Sequence, residues 1–243
     1  MGVSILSVGQ AGFIIENEIG KTLGIDLYLS DCVERLEGSV GYKRLIPRII
    51  SPDNVELDFL IATHPHWDHF DVDAIPVIMN RSHTKLFASY ECKTLVDENR
   101  IDETRVEYVK PGDTRECGDY KLHFVNCDHG SGAPDAVGVI VETSGKRIYE
   151  AGDTCLRLDR TQEYLQFGRL DVLIAPINGA FGNMSEEECA CFSEALKPLI
   201  TIPCHYGMFA DHGGNPGKFL EIMRNKATDN KVLLITPGER IEI

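Results

Sequence analysis

Short apolar runs, broken by polar and Gly- or Pro-containing punctuation, recur along the whole chain. Runs of this kind bounded by turn residues predict strands. Residues 2–9 (GVSILSVG), 13–16 and 21–26 open the chain as three such runs, and the polar, Gly-ended separator 17–20 suits a hairpin turn. The opening therefore reads as a β-meander. Gly9-Gln10-Ala11-Gly12 has strand signal on both sides and no helix after it, which excludes a dinucleotide loop. Residues 30–56 are weakly patterned and read as a long, partly helical loop. Arg44 and Arg48 in it are candidates to meet an anion, although a solvated loop is the expected reading. A strand over 57–62 (LDFLIA) follows, then helix from near Asp71 over 72–79, strand 85–88, helix 91–99 and strand 106–109. Lys110-Pro111-Gly112-Asp113 carries Pro and Gly at turn positions.

The second half repeats this order without repeating the sequence. Residues 120–127 alternate apolar and polar as a half-buried strand, and 137–142 with 146–149 form a hairpin around Ser144-Gly145. Residues 161–167 predict a helix, and 171–176 (DVLIAP) a buried strand. Ser185-Glu186-Glu187-Glu188 has the S-x-x-E form of a capping box and opens a helix to about Leu196. Residues 199–204 are another buried strand. Asn215-Pro216 starts a helix through about Asn225, with Pro at its first position. Residues 232–235 and 240–243 close the chain as strands. Two halves, each opening with locally paired strands and continuing with alternating strands and helices, fit a four-layer α/β/β/α sandwich formed by residues 1–243 as a single domain.

A chain of 243 residues that is 43% hydrophobic can build a sizeable core. No stretch approaches the about 20 apolar residues of a membrane span, and the start lacks the features of a signal peptide, so the expected location is cytoplasmic. The eight cysteines are scattered without a C-x-x-C pair and read as reduced thiols. Cys189 and Cys191 lie two apart on an expected helix and do not share a face. A net charge of −14 disfavours nucleic acid as a partner.

The chemistry concentrates at Thr63-His64-Pro65-His66-Trp67-Asp68-His69, which reads H-x-H-x-D-H. Pro65 disfavours helix, so the stretch is a loop at a strand end. In an extended loop His64, His66 and Asp68 point together, and His69 joins them from the turn into the helix. Imidazole and carboxylate are ligands for zinc- or manganese-type divalent ions. Four ligands so close, with more from elsewhere, suggest two adjacent metals. Three further strand ends carry ligand-type residues, His129, Asp153 and His205. His83 and His123 match no such position. Tyr206, beside His205, and the loop-borne His212 are candidate substrate-binding residues.

This constellation resembles the metallo-β-lactamase superfamily. Segments Ser7-Val8-Gly9-Gln10-Ala11-Gly12-Phe13, Ala62-Thr63-His64, Val109-Lys110-Pro111-Gly112-Asp113 and Ile202-Pro203-Cys204-His205 are similar to the L-ascorbate-6-phosphate lactonase (UlaG-like) group within it. The resemblance implies that His64, His66 and His129 hold one metal and Asp68, His69 and His205 a second. It makes Asp153 the bridging carboxylate and implies a lactone-opening reaction, typically with manganese. The expected function is a metal-dependent hydrolase with two divalent ions (Mn or Zn), whose bridging hydroxide attacks a lactone or ester such as L-ascorbate 6-phosphate. Asp68 is the candidate catalytic residue that orients the nucleophile or relays its proton.

A phosphodiesterase or nuclease on the same metals is the first alternative, opposed by the charge. A di-iron redox centre is a second; that use favours a carboxylate where His66 stands. A metal-binding protein without turnover is the third. The expected partner is a small anionic substrate such as a sugar phosphate lactone, with neither nucleic acid nor membrane. The hydrophobic strand ends near the N-terminus are candidates for a homo-oligomer interface.

Overall fold

In the computed structural model, which describes residues 2–130, 132–226 and 229–243, two seven-stranded sheets carry the chain, each in its own unit. The first unit comprises Met1–Lys110, Met208–Asp211 and Ile235–Ile243. Its strands β1 (Ser4–Gly9), β2 (Gly12–Glu16) and β3 (Thr22–Ile25) form the antiparallel meander expected from the opening runs. Strands β4 (Phe59–Ala62), β5 (Lys85–Ser89) and β6 (Val106–Val109) then add in parallel. The last strand, β14 (Arg240–Glu242), pairs with β1 at the other edge.

Helices α1 (Cys32–Glu37), α2 (Ile75–Arg81) and α3 (Lys93–Glu98) belong to this unit. Leu60, Leu86 and Ala88 of the sheet share an apolar core with Phe70, Ile75, Ile78 and Val96. Burial at about 25 cal/mol per Å² of apolar surface is what holds the helices there.

The second unit comprises Pro111–Gly207 and His212–Leu234. Strands β7 (Thr114–Cys117), β8 (Tyr120–Asn126), β9 (Val137–Thr143) and β10 (Lys146–Glu150) are antiparallel. Strands β11 (Val172–Pro176), β12 (Ile200–Cys204) and β13 (Lys231–Val232) continue in parallel. Helices α4 (Thr161–Leu165), α5 (Glu186–Leu196) and α6 (Pro216–Asn225) accompany them. The core is aromatic: Tyr149 stacks on Tyr164 at 5.0 Å, and Phe192 meets Tyr164 edge-on at 5.6 Å.

Strand direction decides where chemistry can collect. In the first sheet β1 and β3 both run antiparallel to β2, so β1, β3 and β4 end at one edge. In the second, β8 and β10 both run antiparallel to β9, so β8, β10, β11 and β12 end together. Crevices beyond the carboxyl ends of such strands are where open α/β sheets bind ligands.

Elements depart from the sequence expectation where side chains other than the apolar run set the boundary. Helix α2 starts at Ile75 rather than at residue 72, because Asp71 accepts hydrogen bonds from the Asp73 and Ala74 amides and holds 71–74 in a turn. The 91–99 helix is a 3-10 turn over Tyr90–Cys92 followed by α3. Of the 232–235 strand, Val232 falls in β13 with Lys231, and the Leu233 amide donates to Thr201 O at 3.0 Å just beyond it. Strand β7 (TREC) was not expected, since an exposed edge strand has no apolar run to announce it. Among the described residues no helix is long and apolar enough to cross a membrane.

Candidate metal centre

At the β4 end, Thr63 donates its amide (2.8 Å) and hydroxyl (2.6 Å) to the Asp26 carboxylate, which stands just past β3. The same carboxylate lies 2.7 Å from His69 Nδ1. Asp26, His64 and His69 are completely buried. A carboxylate on Nδ1 fixes the ring and leaves Nε2 as the coordinating atom, the arrangement that supports metal-bound histidines. From the sequence Asp26 is an acidic residue at a strand end, able to approach the site but expected to be a plain turn residue.

His66, Asp68 and His69 follow through a tight turn in which the His69 and Phe70 amides donate to His66 O at 2.9 and 2.7 Å. His64 Nε2 and His66 Nδ1 come within 3.0 Å, and the His64 and His69 rings are 4.0 Å apart. Asp68 accepts a hydrogen bond from Gln10 Nε2 at 2.7 Å, and its Oδ2 lies 3.7 Å from His69 Nε2. Gln10 belongs to the β1–β2 loop, where sequence reading saw only a non-nucleotide turn.

Asp71 anchors this loop from below. It is completely buried and accepts from the Leu29 and Ser30 amides at 2.8 Å each and the Ser30 hydroxyl at 2.6 Å, besides the two amides of its own turn. The segment after β3 and the exit of the donor loop are thereby tied together.

In the second unit, His129 (after β8), Asp153 (after β10) and His205 (after β12) meet at the shared strand edge. Asp153 Oδ2 is 3.1 Å from His205 Nε2 and 3.9 Å from His129 Nε2. His212 stacks face to face on His205, with ring centroids 5.0 Å apart and planes 3° from parallel. Cys127 Sγ donates to Asp153 O at 3.0 Å and braces the Asp153 turn. Ser131, in the Gly-rich loop after His129, lies outside the described residues.

Each donor set fits a divalent ion. Ligand atoms around one tetrahedral zinc stand roughly 3.3 Å apart, from Zn–N bonds of about 2.0–2.1 Å. The 3.0 Å His64–His66 and 3.1 Å Asp153–His205 approaches match that edge. The donors are imidazoles and carboxylates, all buried except the half-buried His66, in surroundings where an isolated charge would be costly and a cation compensates it.

Other candidates fall elsewhere. Tyr206 packs against the second core, and burial pushes its hydroxyl up to about 12, so it stays protonated at neutral pH. His123 is held mid-strand between Thr114 Oγ1 and Glu142 Oε1, both at 3.0 Å. Arg44 is neither solvated nor poised for an anion: it donates to Tyr28 O and Ser30 O at 3.3 and 3.2 Å and covers the Tyr28 ring at 4.8 Å. Arg48 pairs with Asp31 at 3.4 Å. Cys189 is fully buried, and burial raises its thiol pKa well above the usual range, so Cys189-Ala190-Cys191 shows nothing of a metal site.

These strand-edge donors and the two mixed sheets define a metallo-β-lactamase-fold protein, and residues 4–205 match the Beta-lactamase superfamily domain family. The chain belongs to the UPF0173 metal-dependent hydrolases of that superfamily. It is 30% identical over 248 residues to the UPF0173 metal-dependent hydrolase TK0141 of Thermococcus kodakarensis, covering 99% of this chain and 100% of that one. Among solved structures it is similar to Igni18, a metallo hydrolase from Ignicoccus hospitalis (TM-score 0.78, 22% identity, 100% and 99% of the two chains). It is also similar to the metallo-beta-lactamase fold protein YhfI from Bacillus subtilis (TM-score 0.73, 13% identity, 99% and 98%). These two likenesses show the fold.

Proposed function

We propose that the two donor sets work as one dinuclear centre that hydrolyses a carbon–oxygen ester or lactone. The observation that carries this reading is the largely buried, hydrogen-bonded imidazole and carboxylate set at each sheet's strand edge, in a chain of a metal-dependent hydrolase family. As the superfamily resemblance implies, His64, His66 and His129 would hold one ion and Asp68, His69 and His205 the other, with Asp153 available to both. Manganese and zinc both suit such donors. When bound, the ions supply Lewis-acid polarisation of the scissile group and lower the pKa of water towards about 7.

The chain's own residues do the rest. Asp68, oriented by Gln10, accepts the proton of the attacking water and returns it to the leaving oxygen. Asp26 keeps the His69 ring in one tautomer and one orientation. The net charge of −14 argues against a nucleic-acid substrate, while two divalent ions would outweigh the Asp68 and Asp153 carboxylates and leave net positive charge to attract a small anion. We assign the whole chain to one hydrolase domain acting in the cytoplasm.

The test is to reload the metal-stripped protein with manganese or zinc and follow opening of L-ascorbate 6-phosphate and of simple lactones. Metal-dependent opening that His64→Ala abolishes is expected. A protein that opens none of them with either metal contradicts the ester or lactone reading.

A further inference from the structure

The loop after β11 carries a large exposed aromatic in a strained conformation. Phe181 has φ 56°, between Gly179 at φ 62° and Gly182 at φ 87°, and 45% of its surface is exposed. A bulky side chain at positive φ is an outlier, and such strain concentrates where function requires it.

The loop is firmly fixed. The Gly179 amide donates to Met184 O and the Met184 amide to Thr154 O, both at 2.9 Å, and Asn178 bridges to Ser185. A Cβ on Gly182 would stand 3.0 Å from the Gly130 amide nitrogen. The loop thus lies against the residues next to His129 and Asp153. Its tip sets the Phe181 ring 5.3 Å from His212, which stacks in turn on His205.

The arginines near this edge are already committed to carboxylates. Arg157 meets Asp128 at 2.6 Å and Asp159 at 2.7 Å. Arg160 meets Asp128 at 2.8 Å and Glu163 at 3.5 Å. The exposed group that the loop offers beside the donors is therefore an aromatic face.

We propose that Phe181 is a specificity-determining residue that receives an apolar acyl or aryl arm of the substrate hydrolysed at the adjoining donors. The inference rests on the ester or lactone reading above and deepens it. An apolar arm covers the ring and recovers the burial that the exposed aromatic forgoes, while the reacting carbonyl stays with the donor set.

The experiment compares γ-decalactone, which carries an alkyl arm, with γ-butyrolactone, which has none, on manganese-loaded protein. Phe181→Ala is expected to cut the ratio of kcat/KM for the two about 10-fold, mostly through KM for γ-decalactone. Phe181→Leu should retain most of the ratio. Phe181→Gly, which relieves the positive φ, should leave the melting temperature unchanged or higher while losing the preference. An unchanged ratio in Phe181→Ala overturns the proposal, as does an equal loss on both lactones with a lower melting temperature. If the parent protein opens neither lactone, the ratio has no value, and the ester or lactone reading fails as well only if L-ascorbate 6-phosphate also stays closed. Binding of decanoate to the loaded protein then decides: about 10-fold weaker binding in Phe181→Ala supports the apolar arm, and equal binding overturns it.

Discussion

Asp26 has an oxygen for the Thr63 amide, another for the Thr63 hydroxyl and His69 Nδ1, and a φ of 47° in the left-handed region that is uncommon outside glycine. Gln10 (φ 57°) and His205 (φ 60°) share that left-handed backbone at strand ends, and each turns a side chain towards a donor. Backbone strain of this kind persists where the surrounding hydrogen bonds over-determine it. Replacing Asp26 by Ala frees the His69 ring and leaves the buried Thr63 amide without its acceptor. The expected result is about 10–100-fold weaker metal affinity, read by chelator competition. Affinity equal to the parent's would remove Asp26 from the site.

At the scale of elements, helix α5 begins with a complete capping box: the Ser185 amide donates to Glu188 Oε2 at 2.8 Å, and the Glu188 amide to Ser185 Oγ at 3.4 Å. Ser185→Ala should cost about 1 kcal/mol, seen as a lower denaturant midpoint at unchanged slope. His123 links β7 to β9 through Thr114 and Glu142 and stacks on Phe167 at 4.1 Å. Burial disfavours its charged form and holds its pKa below the ordinary value, despite the favourable Glu142 contact. The unfolded chain therefore takes up the proton first. This contribution to stability is present above about pH 6.5 and is lost as the pH falls towards the folded pKa. Between about pH 8 and pH 5 the metal-free parent should lose more stability than His123→Gln in denaturant titrations; parallel losses would refute the assignment.

These elements also show what the sequence could disclose. Strands β4, β11 and β12 were readable because their buried apolar runs have no other explanation. Strand β7 is an exposed edge of mixed polarity, and the α2 boundary depends on the Asp71 side chain, so neither had a local signal. The histidine and aspartate donors stood out by residue type and spacing. Gln10, Asp26 and Phe181 are single ordinary residues, and strand order within each unit brings them beside that unit's donors.

For the whole molecule, one plan appears twice: an antiparallel start, a parallel continuation, and side chains able to bind a metal at the edge where the parallel strands end. One sheet supplies His64, His66, Asp68 and His69, the other His129, Asp153 and His205. The proposal at stake is that these seven side chains, as the superfamily resemblance implies, serve one dinuclear centre rather than two separate ion sites. Metal content per chain after saturation and desalting tests it most directly, in the parent and in Asp153→Ala. The account predicts two ions per parent chain, and in Asp153→Ala a joint loss from both sites, because the bridge contributes to each. A parent that retains no divalent ion would contradict it, as would an Asp153→Ala chain that keeps one ion at undiminished affinity.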